Sequence, residues 1–217
     1  MSGMYDLHTH SILSDGEMLP IELIRRMAVT GYTTVAVTDH ADPSNAESLL
    51  VTLALVRESA DLFGVRLLCG IEITHVPPQQ IAPLAKAAKA RGADIVVVHG
   101  ETTVEPVAEG TNHAACGCKY VDVLAHPGLI TLKDAKTAAK NGIALELTAR
   151  GGHNRTNGHV AQVARQAGCQ MVVDSDAHAP HDIMSERAKF IVAKGAGLSE
   201  RECREVLSLN IDEFLGI

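Results

Sequence analysis

Apolar and polar positions along the chain alternate between two periods. Short apolar or β-branched runs suited to strands occur at Met4–Leu7, Thr33–Thr38, Val65–Ile73, Asp94–Val98, Val121–Ala125, Ile143–Thr148 and Met171–Asp174. Between them lie stretches with helical spacing: Pro20–Val29, Ser44–Phe63, Gln79–Ala90, Leu132–Lys140 and Asn157–Gln166. Pro20 suits a first helical turn, and Gly64, Gly92, Gly142 and Gly168 follow helices where a left-handed cap is favoured. Glu101–Tyr120 reads as irregular, and two helices, Asp182–Lys194 and Ser199–Ser208, close the pattern. Seven strands alternating with helices predict parallel strands joined by crossovers, as an open doubly wound sheet or a closed barrel. No glycine-rich nucleotide fingerprint follows any strand, which counts against a nucleotide-binding open sheet. No linker or low-complexity stretch interrupts the 217 residues, so a single domain is expected.

The polar residues that punctuate this pattern carry the chemistry. The strand ends supply His8 and His10, His40, Glu72, His99, His126, Glu146, and Asp176 with His178. The steps His8→His40→Glu72→His99→His126 are 32, 32, 27 and 27 residues, each the length of one strand–helix unit. In a parallel barrel all carboxyl ends of strands meet at one face, so these residues would converge. Strand parity puts His8 and His10 on one face, Asp176 and His178 likewise, with Asp6 and Asp174 one step deeper as carboxylates suited to orienting imidazoles. A single strand-end histidine is more often a hydrogen-bonded loop residue than a ligand. Joint occurrence on seven strands is what points to a metal centre. Imidazole nitrogen with carboxylate oxygen suits Zn, Mn or Fe. With Asp15, the set His8, His10, Asp15, His40, Glu72, His99, His126, Asp176 and His178 is too large for one four-coordinate ion.

Asp6-Leu7-His8-Thr9-His10, Ser14-Asp15-Gly16, Thr38-Asp39-His40, Gly70-Ile71-Glu72, His99-Gly100, Ala125-His126-Pro127 and Ser175-Asp176-Ala177-His178 resemble, in order and spacing, the motifs of the PHP (polymerase and histidinol phosphatase) family. The resemblance spans roughly residues 5–190. It implies an α/β fold, a distorted (β/α)7 TIM-like barrel, with a site for two to three divalent metal ions and phosphoester hydrolysis, most simply of a small phosphomonoester such as histidinol phosphate. Carried over by position, His8, His10, Glu72 and Asp176 would hold one ion. Glu72 would bridge to a second with His99 and His126, and Asp15, His40 and His178 would hold the third. Glu72, Asp176 and His178 are the catalytic candidates, and Glu146, with no firm ligand role in the pattern, is expected to support a ligand from behind or to face the substrate.

Composition narrows the substrate. Acidic residues outnumber basic ones 26 to 19, for a net charge of −7, and aromatic residues are 3% of the chain. That balance disfavours an extended nucleic-acid surface, so a nuclease or nucleotide phosphodiesterase ranks second, ahead of an inactive scaffold or an amidohydrolase. Three divalent ions against the carboxylates of Asp15, Glu72 and Asp176 would focus positive potential in one pocket and draw in a phosphate. The segment Thr148–Val160 is the expected recognition loop: Arg150 and Arg155 for phosphate, His153 as a proton donor, with His181 and Arg187 within reach of the same anion. His75, His113 and His159 are expected to be surface or loop residues. Five cysteines without framework spacing, no signal-like N-terminus and no long apolar run point to a cytoplasmic protein with free thiols and no membrane partner. The oligomeric state is left open.

Overall fold

The computed structural model describes residues 3–217. Eight strands form one parallel sheet: β1 (Met4–Asp6), β2 (Tyr32–Val37), β3 (His40–Ala41), β4 (Arg66–Ile73), β5 (Ile95–His99), β6 (Val123–Ala125), β7 (Ala144–Thr148) and β8 (Met171–Asp174). They pair in the order β1-β2-β4-β5-β6-β7-β8, with β3 added on β4. The helices are α1 (Pro20–Thr30), α2 (Ala46–Ala54), α3 (Arg57–Leu62), α4 (Pro78–Ala90), α5 (Thr111–Cys116), α6 (Leu132–Asn141), α7 (Asn157–Ala167), α8 (Glu186–Gly195), α9 (Glu200–Leu207) and α10 (Ile211–Leu215).

The sheet closes on itself between its first and last strands. A parallel bridge joins Thr9 to Ala177. His10 N–H donates to Ala177 O at 2.9 Å, and Asp176 N–H donates to His8 O at 3.0 Å. Deeper in the seam, side chains replace the backbone ladder. Asp174 Oδ1 accepts from Leu7 N–H at 2.8 Å, and both Asp6 carboxylate oxygens accept from Ser175 N–H at 3.2 Å. The expected barrel is therefore nearly closed, sewn along one edge by two buried carboxylates.

Alternation along the strands sorts the core into layers. Leu68, Ile95, Val97, Ala144 and Val172 share parity with Glu72, His99, Glu146 and Asp174, and belong to one buried cluster. The opposite parity, Ile71, Ile73, Val96, Val98, Leu145, Leu147 and Val173, packs with Ile81, Ala85, Ala135, Ala138, Val160 and Ala164 of the surrounding helices. A third cluster joins Leu23, Ile24 and Met27 of α1 to Val35, Val37 and Leu67. The inner layer is thus apolar below and ionisable at the strand ends.

Several boundaries differ from expectation. The stretch Ser44–Phe63 is two helices, α2 and α3, broken at Leu55–Val56. The turn lets Arg57 reach Leu67 O at 3.0 Å and Asp94 Oδ2 at 2.5 Å, contacts a straight helix would not make together. The irregular stretch 101–120 contains α5. The Glu101 carboxylate caps it by accepting from Gly110 N–H at 3.1 Å and Asn112 N–H at 2.8 Å. Helix α8 starts at Glu186 rather than Asp182, because Ser185 accepts from Ala188 N–H as its cap. The short strand β3 and helix α10 add to the expected elements.

Candidate metal centre

Strand register brings the distant motifs together. His40 pairs with Glu72 across β3–β4, and His99 with Ala125 across β5–β6. At the seam, the bridge Thr9–Ala177 puts His8 and His10 beside Asp176 and His178. Two further devices aim the side chains. His126 follows the inward-facing Ala125 and would turn outward, but its left-handed backbone (φ 28°) breaks the alternation. Asp176 (φ 52°) also carries positive φ and lines the same pocket as His126, while His75 (φ 55°) lies on the neighbouring one, beside His40 and Glu105. Gly100, directly after His99, has no room for a side chain: a Cβ would lie 2.4 Å from Ala125 O.

All nine proposed donors meet at this mouth. In the deepest group, His8 Nε2 lies 3.0 Å from His10 Nε2, 3.3 Å from Glu72 Oε1 and 3.7 Å from Asp176 Oδ1. His10 Nε2 is 3.3 Å from Asp176 Oδ1. His126 Nε2 is 3.6 Å from both Glu72 Oε1 and Asp176 Oδ2. At the outer edge, Asp15 Oδ1 faces His178 Nε2 at 3.3 Å, His40 Nε2 at 3.6 Å and His10 Nδ1 at 3.9 Å. The lining includes Asp15, His40, His99, His126, Asp176 and His178 around a cavity of about 310 Å³.

These groups fit divalent ions on two grounds. Tetrahedral ligands about 2.0–2.1 Å from an ion stand roughly 3.3–3.4 Å apart, and the separations here run from 3.0 to 3.9 Å around that spacing. Further, Glu72 Oε1, His10 Nδ1, His126 Nδ1 and His153 Nδ1 are buried without a hydrogen-bond partner. A buried carboxylate oxygen left facing imidazole nitrogens is costly unless a cation satisfies it.

Protonation alone settles this cluster poorly. Burial opposes charge on His8, yet Asp176, Glu146 and Glu72 together hold its pKa well above the ordinary value. His10 and His126 go the other way: burial and neighbouring imidazoles push them well down. Burial works against the Glu72 carboxylate, but His8, His40 and His99 keep it well below the usual range. His40 is raised to about 10, because Glu72 and Asp15 outweigh its burial.

Groups outside the expected ligand set hold the donors in place. Glu146 Oε1 bonds His8 Nδ1 at 2.7 Å, and its Oε2 accepts from His126 N–H at 2.8 Å, so one carboxylate positions two donors. Orienting a donor is one of the two roles expected of Glu146, and the role expected of Asp6 and Asp174. Those two instead bind backbone N–H groups across the seam, and Asp6 also faces the Tyr32 hydroxyl at 3.5 Å. Asp39 accepts from Ser11 N–H and Oγ at 2.8 Å and from Ser14 Oγ at 2.7 Å, which pins the turn carrying Asp15.

The expected recognition loop is only partly at the mouth. Arg150, Gly151 and His153 line the cavity, and Arg150 Nη1 is tethered to Asp182 Oδ2 at 3.3 Å. His153 is buried against His126, with ring centroids 4.4 Å apart, so it stands among the metal-type donors. Arg155, His181 and Arg187 do not line the cavity. Arg155 and Arg187 are exposed on the turn before α7 and on α8, and His181 is turned out beside Asp182 at 3.5 Å. The turn winds back because the Asn157 side chain bonds both Thr148 N–H and Thr148 O, which carries Arg155 away from the cavity.

One residue at the site, Glu105, lies outside the sequence expectation. Glu105, in the loop after β5, faces His99, His75 and His153. His75, exposed as expected of a surface or loop residue, has its ring 5.3 Å from that of His99. The one available signal was an acid six residues beyond a strand-end histidine, with no periodicity to place it. All five cysteines are buried and unpaired, as expected of core thiols. No helix among the described residues is long and apolar enough to cross a membrane.

Comparison with known proteins adds a family and a fold. A family model described as RNase P subunit p30 matches residues 3–215. An uncharacterized protein of Methanocaldococcus jannaschii is 44% identical over 205 residues, covering 94% of each chain. Ribonuclease P protein component 3 of Methanosarcina mazei is 26% identical, over 94% of this chain and 85% of its own length. Among solved structures, a Listeria monocytogenes protein assigned as a histidinol phosphatase superposes with a TM-score of 0.61 at 11% identity, over 82% of this chain and 97% of the other. The barrel is shared with that structure.

Proposed function

Because the chain belongs to the RNase P subunit p30 family and carries a full ring of metal-type donors at one barrel mouth, we propose that it is a metal-dependent phosphoester hydrolase. The single observation behind this reading is the convergence of His8, His10, Asp15, His40, Glu72, His99, His126, Asp176 and His178 on one cavity. His8, His10, Glu72 and Asp176 would hold one divalent ion, Glu72 with His99 and His126 a second, and Asp15, His40 and His178 a third. Such ions supply an activated water and neutralise charge on phosphate oxygens.

The chain's own groups do the rest. Arg150 stands at the mouth, where a guanidinium suits phosphate oxygens. Its tether, Asp182, is itself held by His178 N–H at 3.0 Å and Ala179 N–H at 2.9 Å, so the guanidinium is held beside the third donor group. Glu146 keeps His8 and His126 turned inward. A cavity of about 310 Å³ takes one phosphate and a small alcohol, and a net charge of −7 offers little to a long polyanion. The substrate we favour is accordingly a small phosphomonoester of the histidinol phosphate type.

A second reading has its own support. The family match, and a relative named as a ribonuclease P component, favour a role in RNA processing. One experiment separates the two. Histidinol phosphate, mononucleotides and short RNA oligonucleotides are offered side by side to protein loaded with Mn or Zn, with Glu72→Ala as control. Release of phosphate from small monoesters, lost by more than about 10²-fold in Glu72→Ala, supports the first reading. Turnover confined to RNA supports the second. No turnover of any phosphoester by metal-loaded protein removes the hydrolase reading.

A further inference from the structure

The loop after β5 brings a carboxylate to a group of imidazoles that the nine-donor set leaves unexplained. Glu105 Oε2 lies 3.1 Å from His99 Nε2 and 3.5 Å from His75 Nε2, and Glu105 Oε1 lies 3.3 Å from His153 Nε2. Donor atoms of His99, His126 and His153 all fall within 4.8 Å of one another. His153 is buried and its Nδ1 has no partner.

The arrangement is built rather than incidental. Glu101 clamps the two ends of the 101–110 loop through Gly110 N–H and Asn112 N–H. The loop's Val104 side chain lies against Gly152, whose backbone (φ 91°) turns the chain just before His153; a Cβ at Gly152 would sit 3.4 Å from Val104. Two loops from different strands therefore meet over His99 and present one carboxylate and one imidazole to it. The strained backbone at His75 completes the ring.

We propose that Glu105 and His153 are additional ligands of the ion held by Glu72, His99 and His126, and that Glu105 is the one a substrate phosphate displaces. The inference rests on the metal-centre reading above. His153 is buried, whereas the Glu105 side chain is 39% exposed on a loop, so of the two it is the one with solvent to move into. A site closed by five protein donors is open to substrate only when one of them leaves, and a catalytic ion needs such a position. His75 stands outside this set as a neighbouring partner for the Glu105 carboxylate.

The test reads metal binding rather than turnover. Wild type, Glu105→Gln and His153→Asn are loaded with Co²⁺, and affinity is measured by chelator competition alongside the visible spectrum. Loss of a direct ligand should weaken one ion by more than the ~10–100-fold that loss of an orienting partner causes, and leave the others unchanged. The spectrum of that ion should shift in both variants. Inorganic phosphate should perturb the same band in wild type and bind more tightly to Glu105→Gln, where its competitor is gone. Because Glu105 is a partly exposed loop residue, that variant keeps its fold, checked by thermal melting. If wild type binds Co²⁺ but both variants match it in affinity and spectrum, this inference falls and the metal centre stands. If wild type binds no ion, both fall.

Discussion

Two buried ionic clusters share this barrel, and they are balanced in opposite ways. The one at the seam contains Asp6 and Asp174, both fully buried, with Lys189 of α8, 1% exposed. The Lys189 ammonium donates to Tyr5 O and sits 4.2 Å from the Tyr5 ring centroid. Burial pushes Asp6 up, and Lys189 is the first influence pulling it back. Above it, Glu72, Glu146 and Asp176 are as deeply buried, yet the cluster holds imidazoles in place of a lysine. The lower acids face a buried ammonium, whereas the upper ones face imidazoles, with the Arg150 guanidinium at the rim of their cavity. The lower cluster carries its counter-charge as a lysine, and the upper one combines acids with imidazole nitrogens, a donor set that suits divalent ions.

Lys189→Met leaves Asp6 and Asp174 without a counter-charge and should destabilise the fold by about 3–5 kcal/mol. Urea denaturation measures it, and a loss under 1 kcal/mol would mean the lower cluster is not held by its lysine. Stripping divalent ions with a chelator should cost about 2.7 kcal/mol when they had been present at 100 times their Kd, a melting-point drop of about 5–10 °C. An unchanged melt on chelation, with Lys189→Met still destabilising, would erase the contrast. Glu146→Gln, which frees His8 and His126 from their shared carboxylate, should weaken metal affinity or activity by about 10–100-fold with little change in fold. Equal affinity in isothermal titration would show that the imidazoles orient themselves.

The smallest effect lies outside both clusters. Arg165 and Ser199 hold the Glu202 carboxyl down from 4.5 to about 2. A depressed carboxyl stabilises the fold above its ordinary value and loses that contribution as pH falls towards 2. Arg165→Ala should therefore cost no more than about 1 kcal/mol at pH 7, since the pair is at the surface. Its gap from wild type should narrow below pH 4.5, as read from urea midpoints across pH. A gap that widens in acid would contradict the pairing.

The barrel and most of its mouth were legible in the residues because both rest on strand periodicity. A side chain at a strand end inherits its position from the sheet, so His8, His10, His40, Glu72, His99, Asp176 and His178 could be placed by counting. His126 came out in the right place by motif although counting parity would have turned it outward; its left-handed backbone makes up the difference. What failed to show were side chains positioned by loops. Glu105 reaches the site through a clamp at Glu101 and a resting place at Gly152, neither of which has a period. Arg155, expected beside Arg150, is carried off by the Asn157 side chain folding back on Thr148. Glu146 was visible as a strand-end acid, but its choice of two neighbouring donors is a property of packing across strands β6, β7 and β1.

The seam itself has a consequence for how the molecule assembles. Strands β1 and β8 are about 170 residues apart in the chain, and side chains rather than a full ladder join them at depth. Contacts so distant in sequence carry the greatest loop-closure penalty and form late. His8 and His10 lie on one side of that join, and Asp176 and His178 on the other. An ion gripped from both sides would act as a rivet, fastening the two ends of the fold in the same act that readies its chemistry.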